Sequence, residues 1–327
     1  MILKAPNLIP GDPTVVNCDY CGSAETKPFS VPLMFDGGEE EFPEAYRKMR
    51  YQFFCCVGCG LVYLPKRPNP RDLPALYPAD YKCFQSYNDR GFIMRKLASS
   101  LAHAKLRQIR SMLPAGNTRL LDYGCGSGTW LEGLRKIGSD LEMIGMDVVP
   151  HAVEQAKKKG FQAYCCNEAD IFEYIRPGSI GVIHLFHVIE HLPSPRQSLL
   201  QMRKALAPGG VVIGQTPNVN SIGRRFWGEL WNQWQIPHHF ILFSPETLRR
   251  HAEAADFQVI DISSSLSSAT QWAQSFLRWW TRKMKRPFRE TREPFYPFLI
   301  LFFLPLILIE SIFSKTCHID FVLKRDN

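Results

Sequence analysis

Three groups of residues in this chain have types and spacings that can do chemistry. Cys18-Asp19-Tyr20-Cys21-Gly22 and Cys56-Val57-Gly58-Cys59-Gly60 are two Cys-x-x-Cys knuckles. Together they can present four thiolates to one tetrahedral Zn²⁺, which leaves no open coordination position and makes the metal structural. The glycine after each pair lets the backbone turn and aim N–H groups at sulfur. Cys55 adjoins Cys56 and competes for its place, but only Cys56 keeps the spacing. Four unrelated buried cysteines are the bland alternative, which the paired spacing disfavours. The second group is His187-Val188-Ile189-Glu190-His191, with His239 later. A histidine titrates near neutrality and can take a proton from oxygen or nitrogen. The plainer role for Glu190 and His191 is to cap the next helix. The third group is Asp122-Tyr123-Gly124-Cys125-Gly126-Ser127-Gly128, with Asp147 following the apolar run from Leu141. Glycine at every second position lets a ligand approach the backbone. The spacing suits a βαβ unit with Asp147 on a ribose hydroxyl.

The elements that must hold these residues can be read from periodicity. Strands are expected at Arg119 to Tyr123, Met143 to Asp147, near Phe161 to Cys165, Ser179 to Phe186, Val211 to Gln215 and Gln258 to Ser263, with His318 to Lys324 as the last. The run from Ser179 is continuously apolar, as in a parallel strand buried on both faces. Helices are expected at Ile93 to Leu113, Trp130 to Ile137 and Ala152 to Lys159, and after Ser244-Pro245, a capped start. Ligands of such sheets sit beyond the carboxyl ends of the strands, where both the glycine loop and the His187 cluster fall.

An acidic residue, one position, then Gly-x-Gly-x-Gly resembles the first motif of class I S-adenosylmethionine-dependent methyltransferases. Leu206-Ala207-Pro208-Gly209-Gly210 before a strand matches another motif of that family, so the likeness spans about residues 75 to 265. It implies an α/β fold: a Rossmann-like seven-stranded sheet with helices on both faces. By that resemblance Asp122, Gly124, Gly126 and Gly128 surround the amino-acid end of S-adenosylmethionine, with backbone from Cys125 and Ser127. Asp147 holds the ribose, Val148 packs on adenine, and Asn167 or Glu168 neighbours the adenine amine. The family usually has Asp where this chain has Gly181. Cys125, Cys165 and Cys166 read as core or loop residues, not a second metal set. The knuckles with Leu61-Val62-Tyr63 and the prolines after them resemble the zinc-binding N-terminal region of some bacterial small-molecule methyltransferases. Several of those act on sugars, cell-envelope or secondary-metabolite intermediates. The His187 cluster resembles the Glu-x-x-Glu-His of small-RNA 2′-O-methyltransferases, which bind a divalent metal, and of quinone-pathway O-methyltransferases. Here His187 stands in place of the first Glu, which makes the site less acidic and less suited to Mg²⁺.

The organisation expected is a zinc-binding module over residues 1–74, the methyltransferase core over 75–265, a basic and apolar insertion over 266–315, and the last strand over 316–327. Within the insertion, Arg278 to Arg292 is rich in cations beside Trp279 and Trp280, and Phe295 to Ile309 carries no charge. That run is shorter than the roughly 20 residues of a spanning helix, and Pro305 interrupts it. A monotopic or re-entrant hairpin at a membrane interface is expected, against a buried helix or a dimer interface as the alternatives. The insertion Asn218 to Pro237, with Trp227, Trp231 and Trp234, reads either as a flap over the acceptor or as a packed surface loop. The first residues lack a secretory pattern, so a cytoplasmic enzyme at the inner face of a membrane is expected. Hydrophobic content of 45% with 21% charged residues excludes a disordered chain. A net charge of +8 suits an anionic partner. The acceptor expected is a small or lipid-linked molecule, a saccharide or envelope intermediate among them. RNA is the second reading, and a non-catalytic membrane scaffold with a vestigial cofactor fold the third. Oligomeric state is not legible.

Overall fold

The computed structural model describes residues 13–31, 33–34, 46, 48–77, 92–166, 170–285 and 295–326. The N-terminal part is built from short strands: β1 (Thr14–Val15), β2 (Thr26–Pro28), β3 (Leu33–Met34), β4 (Arg50–Tyr51), β5 (Phe54–Cys56), β6 (Val62–Tyr63) and β7 (Lys66–Arg67). A 3₁₀ segment, Pro70–Leu76, closes it, its first amide capped by the Asn69 side chain. The core then runs α1 (Phe92–Met112), β8 (Arg119–Tyr123), α2 (Thr129–Lys136), β9 (Glu142–Asp147), α3 (Pro150–Lys158), β10 (Gln162–Cys165), α4 (Ile171–Tyr174), β11 (Ile180–Phe186), α5 (Pro195–Ala205) and β12 (Leu206–Pro217). After it come α6 (Ile222–Trp227), β13 (Ile241–Leu242), α7 (Pro245–Glu253), β14 (Gln258–Ser264), α8 (Ser268–Lys283), α9 (Tyr296–Ile312) and β15 (His318–Lys324).

Among the described residues, seven strands form the main sheet in the order β10-β9-β8-β11-β12-β15-β14. The first five are parallel; β15 is antiparallel to both neighbours. This is the Rossmann-like seven-stranded sheet that the resemblance implies, with the final strand inserted beside β12. The physical reason for that seat is visible at Gly214. It pairs with Phe321, and a Cβ on it would lie 2.0 Å from the Phe321 ring, so the ring packs flat on bare backbone. β11 is buried along most of its length, as its apolar run predicts. Leu121, Ile183, Leu185 and Phe321 are at most 1% exposed, and each such side chain contributes roughly 1.5–3 kcal/mol by burial. Gly181 departs from the family's Asp because Asn117 occupies that space. An added Cβ would meet Asn117 Oδ1 at 2.7 Å, and the Asn117 amide bonds the Ser179 carbonyl and the Arg119 N–H.

The N-terminal part is stitched into the core. Its four-stranded sheet, β13-β6-β5-β2, takes β13 from beyond β12. Asp19, inside the first knuckle, accepts from Ser194 Oγ at 2.6 Å and from the Arg196 amide at 3.2 Å. It therefore caps α5 with a carboxylate, the favoured charge at a helix N-terminus. Arg250 donates to the Cys59 carbonyl at 3.0 Å. The Trp insertion packs and does not flap. Trp231 and Trp234 are 0% and 6% exposed and lie in one cluster with Tyr51, Phe53, Val62 and Leu64. α8 and α9 form a helical pair, with Trp272, Ala273, Leu277, Phe303 and Ile307 at its core. α9 continues through Pro305, so that proline does not interrupt the helix as the sequence suggests. No helix of the described residues is long and apolar enough to cross a membrane.

Candidate functional site

The three alternating glycines of the β8–α2 turn all have positive φ: 83° at Gly124, 50° at Gly126 and 69° at Gly128. L-residues rarely adopt this region, which explains glycine at every second position. The turn is clamped to β9. Gly124 and Cys125 donate to the Met146 carbonyl at 2.7 and 2.9 Å, and Gly126 donates to Asp147 Oδ2 at 2.8 Å. Asp147 Oδ1 accepts from the Val149 amide at 2.9 Å. Burial pushes the Asp147 carboxyl up to about 6 against these N–H donors. Asp122, 4% exposed, accepts from His184 Nδ1 at 2.8 Å. His184 lies between the rings of Trp130, parallel at 3.6 Å, and Phe186 at 4.6 Å. Burial lowers its titration, partly offset by Asp122, so the ring is neutral and donates through Nδ1.

The His187 cluster touches this turn directly. A Cβ on Gly124 would lie 2.4 Å from Val188 Cγ2, so the glycine loop and the end of β11 are in contact. His187 itself has φ 53°, a strained value for a non-glycine residue, held by its N–H to the Gln215 carbonyl at 2.9 Å. Gln215 Nε2 donates to Ser265 Oγ at 2.9 Å and Asp320 Oδ1 at 2.5 Å. That fixes the amide, so its Oε1 faces His187 Nε2 at 2.9 Å. An amide oxygen only accepts, so Nε2 carries a proton. Glu190 Oε1, 3.2 Å from Nδ1, calls for a second. His187 is therefore an imidazolium. Burial disfavours that charge, but the Glu190 bond outweighs it and raises the titration. Glu190, 0% exposed, also accepts from Thr216 Oγ1 at 2.9 Å. Burial alone would raise it; the His187 bond and the surrounding histidines bring it down to about 2.

His191 and His239 are set up differently. His191 Nδ1 donates to the His238 carbonyl at 2.9 Å, with Tyr77 Oη 3.2 Å away. His239 Nδ1 donates to the Gln233 carbonyl at 2.8 Å. Burial lowers the titration of both. Each is thus a neutral ring whose Nε2 lone pair is free to accept a proton or bind a metal, the carbonyl partner fixing the tautomer. Glu190, His191 and His239 each offer a ligand atom within 4.8 Å of the others. One carboxylate with two imidazoles fits a borderline transition metal better than Mg²⁺.

These titrations make stability depend on acid. His238 is lowered by burial to about 4, and His184, His191, His239 and His318 are also lowered. In the unfolded chain each would protonate near 6.5, so the stability they contribute is present above that pH and lost as pH falls toward 4. His187 runs the other way: raised in the fold, its contribution is full below 6.5 and lost as pH rises through its folded value. The net expectation is a urea midpoint that drops steeply between about pH 6.5 and 4. His238→Gln should flatten that drop by on the order of 3 kcal/mol; an unchanged slope would refute the burial argument.

Cys18, Cys21, Cys56 and Cys59 come together, each sulfur within 4.8 Å of the others. The Cys18–Cys59 and Cys21–Cys56 sulfurs are 3.4 Å apart. Sulfurs around a tetrahedral zinc at 2.3 Å stand roughly 3.8 Å apart, so the donor set fits the ion. Gly22 and Gly60, at φ 74° and 76°, turn back to donate to the Cys18 and Cys56 carbonyls, both at 2.9 Å. Burial pushes the Cys18 thiol up and the Cys59 thiol up to about 11, whereas at Cys56 burial is outweighed by the surrounding N–H groups, which bring its thiol down, so ionising Cys18 and Cys59 calls for a cation.

Three residues of the site, His184, Gln215 and His318, were not singled out in the sequence. His184 sits inside a run that reads as apolar; its polar character was the signal. Gln215 belongs to a strand end. His318 opens β15 and stacks edge-on to His187 at 4.7 Å. Val148 is half-buried just after β9. Asn167 and Glu168 lie outside the described residues. Cys125 and Cys166 are buried and Cys165 exposed. Among the described residues none of these three joins a metal-type group.

Residues 90–262 match the family model described as "Methyltransferase domain". The ubiquinone biosynthesis O-methyltransferase of Cereibacter sphaeroides is 28% identical over 180 residues, covering 52% of this chain and 72% of that protein. The enzyme of the same description from Xanthomonas oryzae is 24% identical over 185 residues, covering 53% and 76%. Among solved structures, a SAM dependent methyltransferase from Archaeoglobus fulgidus is 18% identical with a TM-score of 0.45, covering 69% of this chain and 94% of that one.

Proposed function

Because the chain belongs to the methyltransferase-domain family and is an S-adenosylmethionine-dependent methyltransferase, we propose that it methylates an oxygen of a small or lipid-linked acceptor, with His191 as the base. The observation that carries this reading is the contact of Val188 with Gly124. It sets a cluster of neutral, tautomer-fixed histidines against the loop assigned to the cofactor. The relatives named for ubiquinone O-methylation support an oxygen acceptor.

When bound, S-adenosylmethionine supplies an electrophilic methyl on a sulfonium. The chain's own residues do the rest. Asp122, its carboxylate oriented by His184, would hold the cofactor's ammonium. Asp147 would hold the ribose hydroxyls through the lone pairs its loop amides leave open, and Val148 would line the adenine. His191 Nε2 takes the acceptor's proton as the oxygen attacks, and its Nδ1–H to the His238 carbonyl keeps that lone pair aimed. The charge formed on His191 is stabilised by Glu190, which His187 and Thr216 hold ionised. His239 Nε2, 4.0 Å from Glu190, completes the wall. A divalent metal held by Glu190, His191 and His239 would polarise the acceptor oxygen in place of the free base. The His187 imidazolium already neutralises Glu190, which weakens that variant. We read Cys18, Cys21, Cys56 and Cys59 as a structural zinc site, and residues 1–74 as a module built onto the core.

The test is direct. Protein incubated with methyl-labelled S-adenosylmethionine and fractionated cell extract should pass label to the small-molecule or lipid fraction. Label in RNA instead would move the reading to nucleic acid, and no transfer at all would favour the scaffold. Asp147→Ala should weaken S-adenosylhomocysteine binding by about tenfold or more in titration calorimetry; unchanged affinity would remove the ribose assignment.

A further inference from the structure

We propose that the α8–α9 hairpin docks onto an anionic phospholipid bilayer, with α9 lying in the plane of one leaflet. α9 presents two faces. Tyr296, Phe303, Ile307 and Glu310 are buried. Phe298, Leu301, Phe302, Leu308, Ile309 and Ile312 are between 50% and 77% exposed. With exposed Pro305 between them, those six fall at helical spacings of three and four, one stripe along a 17-residue helix that is about 25 Å long. A stripe facing water normally carries charge. This one carries none; the one charged residue of the helix, Glu310, points inward at 0% exposure. Phe226 on α6, 68% exposed and 5.2 Å from the Trp272 ring, extends the patch. A continuous apolar surface of this kind exceeds what monomers usually leave in water.

Charge decides what covers it. Where α8 ends, Trp279 and Trp280 are 37% and 36% exposed, beside exposed Arg282, Lys283 and Lys285. Lys283 Nζ lies 5.2 Å over the Trp279 ring. α8 contains no acidic residue. Indole rings with cations at the edge of an apolar face match the headgroup layer over acyl chains. A second copy of this chain would bring the same cations together and repel. The hairpin is also rooted at the site. Ser268 Oγ accepts from the His318 amide at 2.9 Å, and Ser267 Oγ lies 2.8 Å from His318 Nδ1 and 3.2 Å from Gln215 Oε1, the partner of His187. Docking therefore sets the His187 cluster within one helix length of the leaflet. The acceptor class that follows is an amphiphile with its polar end at His191 and its tail in lipid; that part rests on the methyl-transfer reading, and the docking does not.

The experiment is sedimentation of the full chain with vesicles of phosphatidylcholine, with and without phosphatidylglycerol, across a salt series. Binding should require phosphatidylglycerol and fall with salt. Lys283→Gln with Lys285→Gln should weaken it by roughly thirtyfold. Phe298→Ser, Phe302→Ser and Ile309→Ser together should abolish it while S-adenosylhomocysteine affinity stays unchanged, which shows that the fold is intact. Equal sedimentation of the triple variant overturns the proposal. So does a wild type that ignores all vesicles and dimerises through this face in ultracentrifugation. Vesicle binding without cofactor binding would leave the docking standing and sink the methyl-transfer reading.

Discussion

Glu190→Gln is expected to lower turnover by about two to four orders of magnitude while S-adenosylhomocysteine affinity changes little. The glutamine is isosteric and can still meet Thr216, so the fold should survive. What disappears is the negative charge that His187 neutralises and that stabilises the proton taken by His191. Without it the His187 imidazolium has no counter-charge in a buried site and gives up its Nδ1 proton, becoming a neutral ring that still donates through Nε2 to Gln215. The readout is label transfer at saturating cofactor, with the pH dependence followed alongside. Wild-type turnover in this variant would remove the cluster from the chemistry. Loss of cofactor binding instead would show that Glu190 holds the fold together, not the reaction.

The second large effect concerns the four cysteines. The purified chain is expected to carry one zinc per molecule by elemental analysis, and Cys56→Ser to lose it. Structural zinc sites in small peptides carry apparent binding energies of about 10–16 kcal/mol, comparable to the entire stability of a domain. Removal by the variant or by a chelator should therefore unfold the N-terminal sheet. Because β13 belongs to that sheet, the wall formed by His238 and His239 should loosen with it. Circular dichroism would show an early transition absent from the loaded protein. A metal-free protein with a single unchanged transition would sink the zinc assignment.

Much of this architecture is local and therefore readable from the chain. The strand ending at Tyr123 is an apolar run, its turn needs glycine at three positive-φ positions, and the helix behind it follows the 3.6-residue period. The strand from His318 to Lys324 is likewise an alternating apolar segment, and its place beside β12 follows from the family pattern. The cysteine knuckles are a spacing, and spacing survives in one dimension. What escaped is what depends on a partner far along the chain. His184 matters because Asp122 and Trp130 meet it across the sheet. Gln215 matters because Asp320 fixes its amide and so fixes the proton on His187. Even the candidate roles changed: His187 reads as a base by residue type, and only its two acceptors show that it is already charged. The tryptophans of the insertion read equally as flap or filling until their burial against Tyr51 and Phe53 decides for filling.

The placement of β13 and β15 also orders events during synthesis. Tyr63 pairs with Ile241, and β15, the final strand, lies between β12 and β14. The knuckle sheet cannot close before Leu242 has left the ribosome, nor the main sheet before Lys324. Contacts of such high sequence separation make for slow folding and a long-lived partly assembled state. Until β15 takes its place, the apolar stripe of α9, which directly precedes it, stands beside an incomplete sheet. A nascent chain of this topology is expected to need shelter, from a chaperone or from the lipid surface itself, before it becomes an enzyme.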